Sequence, residues 1–225
     1  MISENILELK QKINNICEKN NIEPSGIEIV VVTKNVDIDK IKEVINCNIK
    51  NIGENKVQEA EKKYKELREI FKQKEIKFHM IGHLQSNKVK KAVNIFDLIQ
   101  SIDSINIAEK INSAAKEINK IQECLLQLKV SEEKTKFGMN TDSIDEFFIK
   151  VKNFENIKIS GFMAMAPFFD AIELTRPYFK KMKQLFDRYK DKYNLKYLSM
   201  GMTNDFEIAL EEGANMLRIG RFIFK

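Results

Sequence analysis

Lys34 closes an apolar run over residues 27–33, in the segment Val31-Val32-Thr33-Lys34. Side chains alternate along a strand, so Lys34 shares a face with Val30 and Val32. An amine on that face, at the mouth of a closed sheet, is expected to be partly desolvated. Burial disfavours the ammonium form and prepares a lysine to condense with a carbonyl as an imine. The plainer reading is a rim lysine paired with a carboxylate such as Glu54. Arg218 is a second inward candidate, on the face of Met216 and Gly220. Its charged fork suits a phosphate, an aromatic nitrogen acceptor, or an ion pair inside the fold.

The run Ser199-Met200-Gly201-Met202-Thr203-Asn204 precedes a helical stretch over residues 205–212. Backbone N–H groups at such a strand–turn–helix junction can hold a phosphate, helped by hydroxyls and the helix dipole. The same residues also read as an ordinary helix cap at Thr203 or Asn204. His79 and His83 are the only histidines. Their i,i+4 spacing matches a metal pair on a helix, but here they lie in and after a strand, so no metal is expected. His83 can instead hydrogen-bond near a ligand or cap the helix over residues 86–93. Met163 and Met165 read as barrel lining.

The elements that must position these residues recur in one pattern. After an amphipathic helix over residues 5–20, short apolar runs end in small or polar residues and a charged, helix-period stretch follows. The runs cover residues 27–33, 49–53, 77–82, 96–102, 124–130, 157–166, 196–201 and 215–220. Such alternation requires parallel strands with helical crossovers. Eight β-then-α units close naturally into a (β/α)₈ TIM barrel, here one α/β domain over residues 1–225 with an extra N-terminal helix. An open doubly wound sheet is the alternative, but neither GxGxxG nor GxxxxGK[ST] is present. In a barrel the active site lies where the strands end, and phosphates commonly sit after the seventh and eighth strands. Run five leads toward Lys134-Thr135-Lys136-Phe137-Gly138 at this rim. Gly53, Gly82, Gly201 and Gly220 mark four other ends.

Composition excludes several classes of function. With 43% hydrophobic residues, 8 Gly and 3 Pro in 225 residues, neither disorder nor a collagen-like chain is expected. The 38 Lys and Arg against 33 Asp and Glu leave +5. Their signs interleave, as in residues 61–69, which describes solvated helix faces rather than a nucleic-acid surface. No apolar run is long enough for a membrane span, and residues 1–6 do not begin a signal peptide. The three cysteines, Cys17, Cys47 and Cys124, are odd in number and outside any CxxC. They read as reduced thiols of a cytoplasmic protein.

These segments together resemble the pyridoxal phosphate (PLP) homeostasis protein family, and are similar to the N-terminal barrel of alanine racemase. The resemblance rests on Val31-Val32-Thr33-Lys34, on residues 53–59 (GENKVQE) and on residues 79–88 (HMIGHLQSNK). Further matches are Ser101-Ile102-Asp103-Ser104, Lys136-Phe137-Gly138, residues 161–166 (GFMAMA), residues 198–202 (LSMGM), Asp205-Phe206-Glu207 and Arg218-Ile219-Gly220. Thr33 and Thr203 stand where serine is common, and Asn35-Val36-Asp37 replaces a usual Thr-Lys-Pro. None of these changes removes a needed functional group.

The resemblance implies that PLP forms a Schiff base with Lys34, that Ser199, Gly201, Thr203 and Gly220 hold its phosphate, and that Arg218 lies by the cofactor. It places Asn55 near the ring and His83 and Met165 along the pocket. The implied role is buffering or delivery of vitamin B6 without strong catalysis, with PLP-dependent apoenzymes as recipients. A monomer is the simplest state and a dimer the alternative. The rival reading is a PLP-dependent amino-acid racemase. Two-base racemisation needs an acid or base on each face of the α-carbon, and the racemase family supplies the second from another domain. A phosphosugar aldolase with an imine-forming lysine is a third reading.

Overall fold

The computed structural model describes residues 1–131 and 137–225. Each apolar run overlaps a strand, and each amphipathic stretch forms a helix. Helix α1 (Ile2–Lys19) precedes β1 (Glu28–Val32), α2 (Ile38–Asn46), β2 (Asn51–Glu54) and α3 (Val57–Lys74). Then come β3 (Lys77–Met80), α4 (Val89–Ile95), β4 (Leu98–Ile102), α5 (Ile105–Glu117) and β5 (Gln122–Lys129). The chain continues through β6 (Met139–Asn140), α6 (Ile144–Val151), β7 (Ile157–Met163) and α7 (Arg176–Tyr193). It ends with β8 (Tyr197–Met202), α8 (Phe206–Glu211) and β9 (Met216–Ile219).

The strands pair in the order β4-β3-β2-β1-β9-β8-β7-β5, and a β4–β5 pairing closes the ring. Every pairing is parallel. The result is the expected α/β barrel, with helices outside. Its hydrophobic content divides into two layers. A large core lies between strands and helices, and a separate cluster of Val30, Leu98, Leu125, Met163, Tyr197 and Met216 fills the lumen. Period-two alternation explains the split, since Val30 faces the lumen and Val31 belongs to the outer core.

Two details differ from the sequence expectation. The eighth strand, β9, is followed by a turn rather than by a helix. Helix α1 packs on both α8 and α2, and so occupies the gap that an eighth crossover helix would fill. It can do so because Ile6, Leu9, Ile13 and Cys17 recur at helical spacing and are all buried. The second difference is β6, two residues paired with β5 outside the ring. Residues 134–136 of the rim segment read from sequence lie outside the described residues. No helix among the described residues is long and apolar enough to cross a membrane.

Candidate functional site

The ends of β1, β8 and β9 and the loop after β7 enclose a cleft of about 380 Å³. Val32 and Lys34 line it from one side, Thr203, Asn204 and Asp205 from the turn after β8, and Arg218, Gly220 and Arg221 from β9 and its following turn. Ala166, Pro167, Phe168 and Met202 supply its apolar wall. Three cationic side chains thus share one opening with a single carboxylate.

Lys34 sits in a tight turn, where the Val36 N–H donates to the Thr33 carbonyl at 3.0 Å and Asn35 takes a left-handed φ of 58°. Asparagine tolerates that conformation better than most residues. The expected partial desolvation of Lys34 is not realised: the residue lines the cleft but is exposed. Its turn lies beyond the end of β1, where solvent reaches the amine. The suggested partner is also occupied. Glu54 accepts from Lys63 Nζ at 2.7 Å and from the Thr33 hydroxyl at 2.6 Å. Lys63 Nζ also donates to the Thr33 carbonyl at 2.6 Å. The residue preceding Lys34 is therefore tied through both its hydroxyl and its carbonyl to a buried ion pair.

Arg218 is buried at 4% exposure on the barrel axis side of β9. It donates through one terminal nitrogen to Ser199 Oγ at 2.6 Å and through the other to the Ala164 carbonyl at 2.8 Å. Burial pulls its pKa down to about 10, against the opposing charge of Asp205, so it stays cationic at neutral pH. Burial raises the Asp205 pKa, while the N–H of Met202, donating to Oδ1 at 2.6 Å, pulls the other way. Asp205 thereby fixes the turn at the end of β8 as well as lining the cleft.

Ser199 is fully buried and does not line the cleft. Its hydroxyl lies between Arg218 and Gln100 Oε1, the latter at 2.7 Å. Gly201 has a φ of 90°, and a Cβ there would lie 2.7 Å from the Ala209 Cβ, so the turn into α8 needs glycine. Thr203 accepts through its hydroxyl from the Phe222 N–H at 3.4 Å, which joins the turns after β8 and β9. The N–H groups of Thr203, Asn204, Gly220 and Arg221 enter none of the backbone hydrogen bonds of the described loops and turns. Two adjoining turns with unclaimed donors form a concavity suited to an anion.

The other side of the rim carries Asn55 and His83. Asn55 Oδ1 is buried and has no hydrogen-bond partner among the described residues. Gly82 packs against the Asn55 backbone, where a Cβ would come within 2.2 Å of the Asn55 carbonyl oxygen. His83 pairs with Asp103 at 3.1 Å and stacks on Phe137 with ring centroids 3.8 Å apart. Met165 is partly buried against the lumen cluster. Thus Lys34, Thr203, Arg218 and Gly220 meet in one cleft, while Ser199 lies beneath it and His83 stands at the rim outside it. Sequence reasoning passed over Gln100, Lys63 and Arg221. Arg221 directly follows the Arg218-Ile219-Gly220 block and Gln100 is two residues from lumen-facing Leu98, so both had a positional signal. Lys63 had none.

A family model described as the alanine racemase N-terminal domain matches residues 7–225. The pyridoxal phosphate homeostasis protein of Aquifex aeolicus is 36% identical over 223 residues, covering 98% of this chain and 96% of the relative. That of Buchnera aphidicola subsp. Schizaphis graminum is 35% identical, covering 100% of this chain and 97% of its own. Among solved structures, PipY of Synechococcus elongatus with PLP bound superposes with a TM-score of 0.87 at 28% identity, each chain covered in full. An alanine racemase of Clostridium difficile shares the fold alone, with a TM-score of 0.70 at 16% identity over 54% of its length. By its sequence and its barrel, the chain belongs to the pyridoxal phosphate homeostasis protein family.

Proposed function

We propose that this chain binds pyridoxal 5′-phosphate in the cleft between β1, β8 and β9, carries it as a Schiff base on Lys34, and serves intracellular PLP homeostasis without strong catalysis of its own. The carrying observation is one cleft that unites an amine, a buried guanidinium and a concavity of unclaimed N–H donors. PipY, which is similar to this chain along its whole length, has been solved with PLP bound. Residues 1–225 act in this reading as a single binding domain in the cytoplasm.

The cleft fits the vitamer's chemistry. When bound, PLP supplies an aldehyde that condenses with an amine and releases water. Lys34 offers that amine, with no carboxylate in ion-pair range among the described residues. Thr203, Gly220 and Arg221 offer a hydroxyl, N–H groups and a charge to the phosphate, with Gly201 setting the turn. Arg218 holds a fixed positive charge at the cleft floor. The unpartnered Asn55 Oδ1 is free to accept from a ligand group near the ring. Met165 borders the apolar lumen, and His83 with Asp103 edges the entrance. A reactive aldehyde condenses with stray amines, so holding it reversibly and releasing it to PLP-dependent apoenzymes has a physical rationale.

The rival racemase requires a proton-transfer group on each face of a substrate α-carbon. A charged Arg218 beside a ring nitrogen would also oppose its protonation and weaken the cofactor as an electron sink. The test is a visible spectrum of purified protein titrated with PLP, before and after borohydride, followed by peptide mass mapping. A chromophore that reduction fixes on the peptide containing Lys34, with D/L-alanine interconversion near background, is expected. No chromophore, reduction that marks only other lysines, or robust interconversion would overturn the reading.

A further inference from the structure

A chain of hydrogen bonds runs through the barrel from the cofactor cleft to the opposite mouth. Arg218 meets Ser199 Oγ at 2.6 Å, Ser199 Oγ meets Gln100 Oε1 at 2.7 Å, and Gln100 Nε2 meets His79 Nδ1 at 2.9 Å. His79 Nε2 then meets Asn51 Oδ1 at 3.2 Å. Ser199, Gln100 and His79 are all buried at 1% exposure or less. None of the three lines the cleft, whereas His79 lines a separate cavity of about 310 Å³ at the N-terminal end of the strands.

With Gln100 turned so that Oε1 faces Ser199 and Nε2 faces His79, the direction of every bond is fixed. A guanidinium only donates, so Ser199 must accept from Arg218. The amide atom facing the hydroxyl is the carbonyl oxygen of Gln100, which can only accept, so the single serine proton goes there. The amide of Gln100 presents its N–H to His79, so Nδ1 must be bare and the ring proton must sit on Nε2, facing Asn51. Burial holds His79 neutral, with its pKa lowered to about 3, which such an arrangement requires. Reversing any one bond alone would leave two donors or two acceptors face to face among buried side chains.

We propose that Gln100 and His79 act through Ser199 as positioning residues for Arg218, and that Ser199 serves this relay rather than the cofactor's phosphate. This rests on the reading of the cleft as a PLP site. Two of the five guanidinium N–H donors are spent on Ser199 and the Ala164 carbonyl, so three remain for a ligand, held in one orientation. A hydroxyl whose proton is committed to Gln100 has none to give a phosphate oxygen.

The relay is tested first in the protein without PLP. Nitrogen-resolved NMR of the two histidines should show His79 protonated on Nε2 and bare on Nδ1 near neutral pH. A proton on Nδ1 would overturn the relay whether or not the chain binds PLP. The second arm measures the affinity of PLP and of 5′-deoxypyridoxal, which lacks the phosphate, for wild type, Gln100→Leu and Ser199→Ala. Both variants should lose about tenfold, the scale of one hydrogen bond to a charge, and by the same factor for both ligands. The bound chromophore's absorption maximum should shift with them, and Ser199→Thr should restore it. Loss confined to PLP would return Ser199 to the phosphate, and unchanged affinities would dismiss the positioning role. Failure of wild type to bind either ligand would overturn the PLP reading instead.

Discussion

Thr33 and Glu54 are joined across the ends of β1 and β2 by a 2.6 Å hydrogen bond, hydroxyl to carboxylate. Both residues are fully buried, and Lys63 reaches in from α3 to share the same carboxylate oxygen. The exposed Lys34 is therefore carried by a backbone that is anything but loose. A flexible side chain on a fixed turn can meet and release a carbonyl without the turn itself reorganising.

Removing one partner of this pair should be costly. Lys63→Met leaves the buried Glu54 with only the Thr33 hydroxyl. We expect a loss of about 2–3 kcal/mol in urea unfolding, below the full cost of breaking a buried pair because Lys63 keeps some solvent contact. Lys63→Met combined with Glu54→Leu should recover part of that loss. A single-variant cost within 0.5 kcal/mol of zero, the usual range for surface changes, would refute the argument.

Gly82→Ala would push a methyl against the Asn55 carbonyl, 2.2 Å from the oxygen. Backbone must shift, at about 3 kcal/mol, the upper end of ordinary overpacking. Since the displaced residue is Asn55, PLP affinity should fall along with the unfolding midpoint. Gly26→Ala, where a Cβ would meet nothing within 4 Å, is the matched control and should leave both unchanged.

Arg221 lines the cleft from an exposed position, and Asn204 accepts from it at 3.4 Å. Arg221→Gln should weaken PLP binding a few-fold and flatten its dependence on salt, because exposed charges act through a screened field. Titrations at low and near-molar salt check this. An affinity for 5′-deoxypyridoxal that falls equally would show that Arg221 does not serve the phosphate.

His79 gives stability a defined pH dependence. Its folded pKa of about 3 lies below the ordinary 6.5, so between these values the unfolded chain binds the proton and the folded chain does not. Stability contributed by neutral His79 is then present above about pH 6.5 and lost as pH falls toward 3, at about 1.4 kcal/mol per unit. His79→Gln should reduce the slope of unfolding free energy between pH 7 and 5. An unchanged slope would mean that His79 is not held neutral.

Much of this molecule follows from one-dimensional order. The beat of apolar run and amphipathic helix dictates parallel strands with crossovers, because an alternating side-chain period and a 3.6-residue period can bury their faces in no simpler way. Lys34, Arg218, Thr203 and Gly220 were legible because each ends a run, and every parallel barrel gathers those ends at one mouth. Only the closed structure decided the rest. Ring closure brought Gln100 within 2.7 Å of Ser199, 99 residues away, and gave Glu54 to Lys63 rather than to Lys34. It also let α1, from the other end of the chain, cover the gap beside α8. Such partnerships depend on stagger, tilt and rotamer, which are properties of the finished cylinder. Local periodicity tells which way a side chain faces, and only packing tells whom it meets.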